Sequence, residues 1–181
     1  NRIVSTHSRQ LPRVQLEPPQ ERHAAGLIAA VKRSRKLHRG WVDPPDTRSA
    51  YYAYVGRLQS AREFGYLIKT EQGELAGVVN LNEIVMGAFK SAYLGYYGLL
   101  PWVGGGYVSA GVRAVIRKAF SVHGLHRLEA NVQPDNQSSI RLVRRLGFRM
   151  EGLSLRYLKI GGRWRDHERW AITREDLRRS K

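Results

Sequence analysis

Gly104, Gly105 and Gly106 are the residues whose type and placement most directly suggest chemistry. They follow Leu94-Gly95-Tyr96-Tyr97-Gly98-Leu99-Leu100-Pro101-Trp102-Val103, which reads as a strand and a short loop, and a long helical pattern begins after them. Glycines leave backbone N–H groups unshielded, and the start of a helix carries positive partial charge. A loop of this kind is a cradle for phosphate. Glycine-rich turns between a strand and a helix are common, so the assignment depends on the residues around it. Other chemistries find less support. The chain has no Cys, which removes thiolate nucleophiles, disulfides and Cys-based metal sites. No spacing of His, Asp and Glu matches a metal site, so no metal is expected. His123 and His126 flank the turn before a strand and are read as structural.

Periodicity and punctuation give the elements that must position this loop. Leu11, Val14 and Leu16 alternate along a first strand over 10–17. Pro18-Pro19 stops it and opens a helix over about 20–35, with Ala24, Leu27, Ile28 and Val31 on one face. After the turn at Val42-Asp43-Pro44-Pro45, Asp46 or Thr47 caps a second helix to about residue 61. Strands are expected over 64–70, 75–85 and 91–100, the first two joined by a hairpin at Glu71-Gln72-Gly73-Glu74. The long helix spans about 106–123, with Val108, Val112, Val115 and Ala119 facing the core. Gly124 ends it, and a buried strand follows over 127–132. Pro134-Asp135-Asn136 starts a helix that Gly147 closes, and strands over 149–160 and 163–173 meet at Gly161-Gly162. This order indicates an α/β (α+β) fold: one mixed sheet with helices on both faces, not a doubly wound one.

At 181 residues and 42% apolar content, the chain suits a single domain with a sizeable core. We expect a domain over 11–178 behind an N-terminal extension over 1–10. No apolar run approaches the roughly 18 residues of a membrane span, so no membrane partner is expected. Residues 1–12 lack an apolar signal core, and a cytoplasmic protein is expected. Charge is the outlier: 31 Lys and Arg against 15 Asp and Glu give +16. Such a field favours nucleic acid, a ribosome surface or a phosphorylated cofactor; the plainer alternative is a basic, well-solvated surface. The denser clusters are Lys32, Arg33, Arg35, Lys36 and Arg39, and Arg141, Arg144 and Arg145. Neither is interleaved with aromatics as a single-strand groove would be.

The glycine loop, taken with Asn136 and Leu146-Gly147-Phe148, resembles the GNAT superfamily of acetyl-CoA-dependent N-acetyltransferases. Within it the chain is most similar to the RimJ/RimL ribosomal-protein-alanine N-acetyltransferases. The matching residues include Gly77-Val78 with Asn80, Val85 with Gly87 and Phe89, Tyr93-Leu94-Gly95-Tyr96, and His126-Arg127 with Ala130-Asn131. They continue through Pro134, Asn136, Ser139, Glu151-Gly152 and Gly162-Arg163-Trp164-Arg165-Asp166-His167. The likeness covers about residues 75–173 strongly and the N-terminal part loosely. The chain departs from the family pattern at Pro101, Gly105 and Ala110-Gly111.

The resemblance implies a GNAT fold, a mostly antiparallel sheet of about seven strands splayed at its centre. It implies acetyl-CoA as cosubstrate, with the diphosphate on the N–H groups of Val103, Gly104, Gly105, Gly106, Tyr107 and Val108. The pantetheine arm would run beside the strand ending at Leu99-Leu100. Asn136 would bind the arm or the acyl carbonyl region, and Ser139 would lie near the thioester sulfur. An N–H at about Leu99 would steady the oxyanion. Ser139 is the first candidate to protonate the leaving sulfur, with Tyr157 as rival; Glu83 is the candidate to take the amine proton. The plainer alternatives are a helix-turn Ser, a packing aromatic and a solvated strand-end carboxylate. Asp166-His167 suggests an acid–base pair, but neighbours on a strand face opposite sides. It is read as a structural hairpin, with the lining of an acceptor groove as its alternative. The implied acceptor is the α-amine of a protein N-terminus, such as that of a ribosomal protein, since an α-amine near pKa ~8 is partly neutral at working pH. A small amine or antibiotic, or a weakly catalytic module binding RNA or protein, are the alternatives. Monomer and homodimer both stay open.

Overall fold

The computed structural model describes residues 10–179. The extension expected over 1–10 lies, up to residue 9, outside the described residues. The described chain opens on a short strand, β1 (Gln15–Glu17), not one covering 10–17. Pro12 and Pro18 bracket it, and proline has no N–H to give a ladder. One turn of 3-10 helix (Glu21–His23), α1 (Ala24–Arg33) and the single turn α2 (Arg35–His38) stand where one helix is expected. Ser34 makes the break: its hydroxyl donates back to the Ala30 carbonyl at 2.8 Å, a local competitor for the helix ladder. Thr47, not Asp46, caps α3 (Arg48–Arg57), its hydroxyl accepting the Ala50 N–H at 3.2 Å. Then come β2 (Phe64–Lys69), β3 (Leu75–Val85), β4 (Ser91–Gly98), α4 (Tyr107–Ser121), β5 (Arg127–Val132), α5 (Gln137–Arg145), β6 (Arg149–Ile160) and β7 (Arg163–Thr173). A last helix, α6 (Arg174–Arg179), lies beyond the hairpin that the sequence pattern indicates.

The strands form one seven-stranded sheet in the order β1-β2-β3-β4-β5-β7-β6. All neighbours are antiparallel except β4 and β5, which run parallel. That pairing covers only Ser91 with Arg127, Ala92 with Leu128 and Tyr93 with Glu129. Beyond Tyr93 the two strands part. Strand β4 stays with β3 as far as Gly98, and β5 stays with β7 as far as Val132. The sheet is therefore split at its middle.

Helices close both faces. On one, Val79, Leu81 and Leu94 pack with Val112, Val115, Ile116 and Ala119 of α4 and with Ile140 and Val143 of α5. On the other, Leu67, Val78 and Leu99 pack with Leu27, Ile28 and Val31 of α1 and Tyr51 and Tyr54 of α3. Each such aliphatic side chain contributes about 1.5–3 kcal/mol on burial. Gly111 lets α4 lie close on β2: a Cβ there would sit 2.4 Å from Ile68 Cδ1. The departure at Ala110-Gly111 is thus a packing requirement, and it fixes where the helix N-terminus meets the split.

Candidate active site

Gly106 is the N-cap of α4 with φ of 86°, and Gly104 has φ of 85°. Glycine adopts this left-handed backbone at little cost, whereas a Cβ makes it unfavourable. At Gly106 a Cβ would also meet the Pro12 ring at 3.1 Å. The N–H groups of Val103, Gly104, Gly106, Tyr107 and Val108 find no acceptor among the described residues. The Gly105 N–H differs, reaching the Trp102 carbonyl at 3.4 Å. The first turn of α4 holds no acidic side chain. Unpaired donors and the positive end of a helix therefore stand together with no anion among the described residues to answer them.

A cavity of about 310 Å3 leads from this loop to the split. Tyr96, Tyr97 and Gly98 of β4, Asn136, Ser138 and Ser139 at the start of α5, and Leu37, His38 and Trp41 line it with the loop. A smaller cavity of about 100 Å3 occupies the split itself, and Trp41, Val42, Tyr96, Asn136 and Ser139 border both. The strand edge facing the split is not at Leu99-Leu100. The Leu99 N–H donates to the Ala76 carbonyl at 3.0 Å, and its side chain is fully buried under α1. The Leu100 N–H donates to Ser34 Oγ at 2.9 Å. Backbone groups on a strand alternate between its two neighbours. Since Leu99 turns to β3, Gly98 and Tyr96 turn to the split, and the Gly98 carbonyl accepts from His38 Nε2 at 2.7 Å. An oxyanion contact from Leu99 is thereby ruled out, because its N–H is already spent.

Asn136 caps α5, its Oδ1 accepting the Ser139 N–H at 3.1 Å. That cap places the Ser139 hydroxyl 2.5 Å from the Tyr96 hydroxyl. Burial pushes the Tyr96 phenol up to about 12, against a smaller opposing effect of the Ser139 bond. The phenol keeps its proton at any working pH, so the pair is a standing source of O–H donors at the throat of the split.

The opposite face of the split carries different groups. Ala130 and Val132 of β5 face α4 and α5, so Asn131 between them faces away, as does Arg169 opposite it. His167, two residues before Arg169, shares that face, borders the smaller cavity and is 3% exposed. Its Nδ1 lies 3.0 Å from the Arg165 carbonyl. Asp166 is turned elsewhere, its carboxylate accepting the Arg156 N–H at 2.7 Å, so the two are not a pair. Tyr157 sits beside His167, ring centroids 6.3 Å apart, with its hydroxyl 3.4 Å from that of Tyr93. It shares Tyr93's face and is not brought to Ser139. Glu83 is not brought to the split either. It occupies a bulge in β3 at φ of 49°, and its carboxylate pairs with Arg62 at 3.1 Å on the surface. His123 stacks on Phe64 at 4.0 Å and meets the Tyr66 hydroxyl, while His126 pairs with Glu175 at 2.9 Å.

Residues 13–149 match the family model described as "Acetyltransferase (GNAT) domain". The chain belongs to this family. It is 40% identical over 117 residues to the [ribosomal protein uS5]-alanine N-acetyltransferase of Escherichia coli, a match spanning 65% of this chain and 60% of that one. The GNAT fold is equally plain in solved structures. RimJ of Mycobacterium smegmatis, in complex with CoA-disulfide, aligns with a TM-score of 0.84 and 30% identity over 91% of this chain and 83% of that one. Spermidine N-acetyltransferase of Vibrio cholerae, in complex with CoA and spermine, aligns at 0.78 over 91% of this chain and 97% of that one, sharing the fold at 18% identity. This GNAT chain is an acetyltransferase by descent. Among its described residues no helix is long and apolar enough to cross a membrane.

The site fits a diphosphate by its own geometry: orphaned donors at a helix start, shaped by a left-handed glycine at position 106 whose Cβ would meet Pro12. Sequence patterning misses Tyr96 and underweights His167. Tyr96 reads as one more strand aromatic, and only its alternation with Gly95 and Tyr97 hints at which way it points.

Proposed function

We propose that this GNAT enzyme moves acetyl from acetyl-CoA to the N-terminal α-amine of a protein, such as a ribosomal protein. What carries this reading is the set of unpaired N–H groups at Val103, Gly104, Gly106, Tyr107 and Val108, opening into a split sheet beside the Tyr96–Ser139 hydroxyl pair. Bound acetyl-CoA supplies an acetyl group activated as a thioester. The loop N–H groups hold its diphosphate, and the edge at Gly98 and Tyr96, whose N–H groups turn to the split, takes the arm as an added strand would be taken. The Tyr96 N–H, turned to the split, polarises the acyl carbonyl. The Tyr96–Ser139 pair donates to the departing sulfur and supplies its proton. Much of the acceleration comes from holding amine and acyl group in line.

The choice of acceptor rests on charge. Among the described residues no carboxylate borders the cavity in the split, and the chain as a whole carries +16. Several ammonium groups on one polyamine would meet repulsion there with no compensating anion. A single α-amine, near pKa ~8, loses its charge easily, unlike a Lys amine near ~10.4. The likeness to a spermidine enzyme is one of fold. Calorimetric binding of acetyl-CoA, followed by thiol release with peptides starting in Ala, Ser or Met and with spermidine and an aminoglycoside, tests the reading. Peptides should show kcat/KM about tenfold higher or more, the scale expected when a site lacks the partners a competitor needs. Faster acetylation of spermidine overturns the acceptor assignment. Cofactor binding without turnover, combined with salt-sensitive RNA affinity, overturns the enzymatic reading in favour of a binding module.

A further inference from the structure

We propose that His167 is the general base of this site, its Nε2 taking the proton from the acceptor amine. The proposal rests on the acetyl-transfer reading above and adds the group that reading lacks, since Glu83 lies outside the split. Three observations carry it. His167 borders the cavity that occupies the split, on the sheet face opposite Ser139, so an amine between them has the imidazole on one side and the hydroxyl pair on the other. Its Nδ1 lies 3.0 Å from the Arg165 carbonyl, an acceptor only, so in the neutral ring Nδ1 holds the proton and Nε2 holds the lone pair. Nε2 has no hydrogen-bond partner among the described residues, nor is it one of the sealed, unpartnered atoms of the interior, which leaves it open to the cavity.

The surroundings keep the ring in its basic form. Burial depresses its pKa, and the Arg165 carbonyl and Asp166 charge act the other way with smaller effect. Arg165 and Arg169 flank it on β7, Tyr157 faces it from β6, and Asn131 from β5; among the described residues no carboxylate lines the cavity to hold an imidazolium. The step balances. As the amine lone pair forms the C–N bond to the acetyl carbon, an N–H proton passes to Nε2. The C–S bonding pair leaves with sulfur, which takes a proton from the Tyr96–Ser139 pair; the His167 proton is then released to solvent and the hydroxyl pair takes one back from it, so both groups return to their starting forms.

His167→Asn tests this directly, because the Asn amide can still donate to the Arg165 carbonyl where Nδ1 does. Its kcat should fall about 100-fold or more, within the range for losing a general base, while the acetyl-CoA dissociation constant and thermal midpoint stay close to those of the parent. Below the pKa values of both amine and imidazole, log kcat/KM of the parent should rise with a slope of about two against pH, and that of the variant with a slope of about one. Parent-like kcat and slope in His167→Asn overturn the proposal. A second readout needs no turnover. Long-range proton–nitrogen NMR of the ligand-free enzyme should show His167 protonated on Nδ1 and titrating below an ordinary histidine; a proton on Nε2 overturns the assignment. If the parent acetylates none of the amines, the acetyl-transfer reading fails, and the NMR tautomer judges His167 alone.

Discussion

Ser139 and Tyr96 touch, so their contributions should not be separable. Ser139→Ala should slow turnover about tenfold or more, as loss of a proton donor does, and Tyr96→Phe by a similar factor. The double variant should lose much less than the product, since residues in one hydrogen-bonded unit couple strongly. Rates measured across that cycle decide it: full additivity would separate Tyr96 from the sulfur. Position by position, legibility divides along a physical line. Asn136 and Ser139 are visible in the sequence because a cap and the first turn of its helix are local, three residues apart. Tyr96 is hidden because its partner lies in another element, and only the register of β4 turns its hydroxyl toward α5. Glu83 misleads for the same reason: a bulge after Asn82 turns it out to Arg62. Leu99 misleads by parity, one residue off the strand edge that faces the split.

At the level of elements, the glycine loop and α4 act as one part. Gly106→Ala forces a Cβ into left-handed backbone and against Pro12, a strain of about 1–3 kcal/mol. It should weaken acetyl-CoA binding by about tenfold or more, since 1.4 kcal/mol is a factor of ten in a binding constant, while kcat at saturation moves less. Calorimetry alongside kinetics separates the two. Gly105 is not in left-handed backbone, but its Cβ would press on the Tyr107 ring at 3.1 Å, so Gly105→Ala should weaken cofactor binding less than Gly106→Ala does. Gly111→Ala acts through packing: its Cβ would overlap Ile68, lowering the thermal midpoint and pushing the N-terminus of α4 off the split. The strands from β3 to β7 are legible because each is an apolar or alternating run with a glycine at or near one end. The parting of β4 from β5 is not, because nothing in either strand alone states where its partner leaves. Proline at both ends of β1 and the back-bonded Ser34 explain the shortened first elements.

For the whole molecule, charge and buried histidines set the response to acid. Glu17, held by Lys69 and Arg22, has its carboxyl lowered to about 2, and burial lowers His23, His123 and His167 below the ordinary histidine value. Each group binds fewer protons folded than unfolded, so stability is full at neutral pH and falls on acidification. The histidines lose theirs first, as pH drops below about 6.5, and Glu17 loses its share between about 4.5 and 2. Thermal midpoints across that range should fall in two stages, and Glu17→Gln should shrink the second, which Glu151 and Asp176 share because their carboxyls are lowered too. A midpoint flat from pH 7 to about 5 would contradict the histidine part. The arginine clusters visible in the sequence resolve into separate duties. Arg144 lies over the Trp170 ring at 5.4 Å, and Arg145 reaches Ser109 Oγ at 3.4 Å, while Arg35 pairs with Asp46 at 3.2 Å.

The parted sheet works as a wall with a single window. On the acetyl-transfer reading proposed above, nucleotide thioester and polypeptide would come from opposite sides and meet at the opening, so neither would block the other's doorway. Spent coenzyme would then depart while an acetylated chain still lingers, and dead-end analogues of one substrate should leave the affinity for the other almost untouched. A molecule joining both halves would have to be threaded through that window.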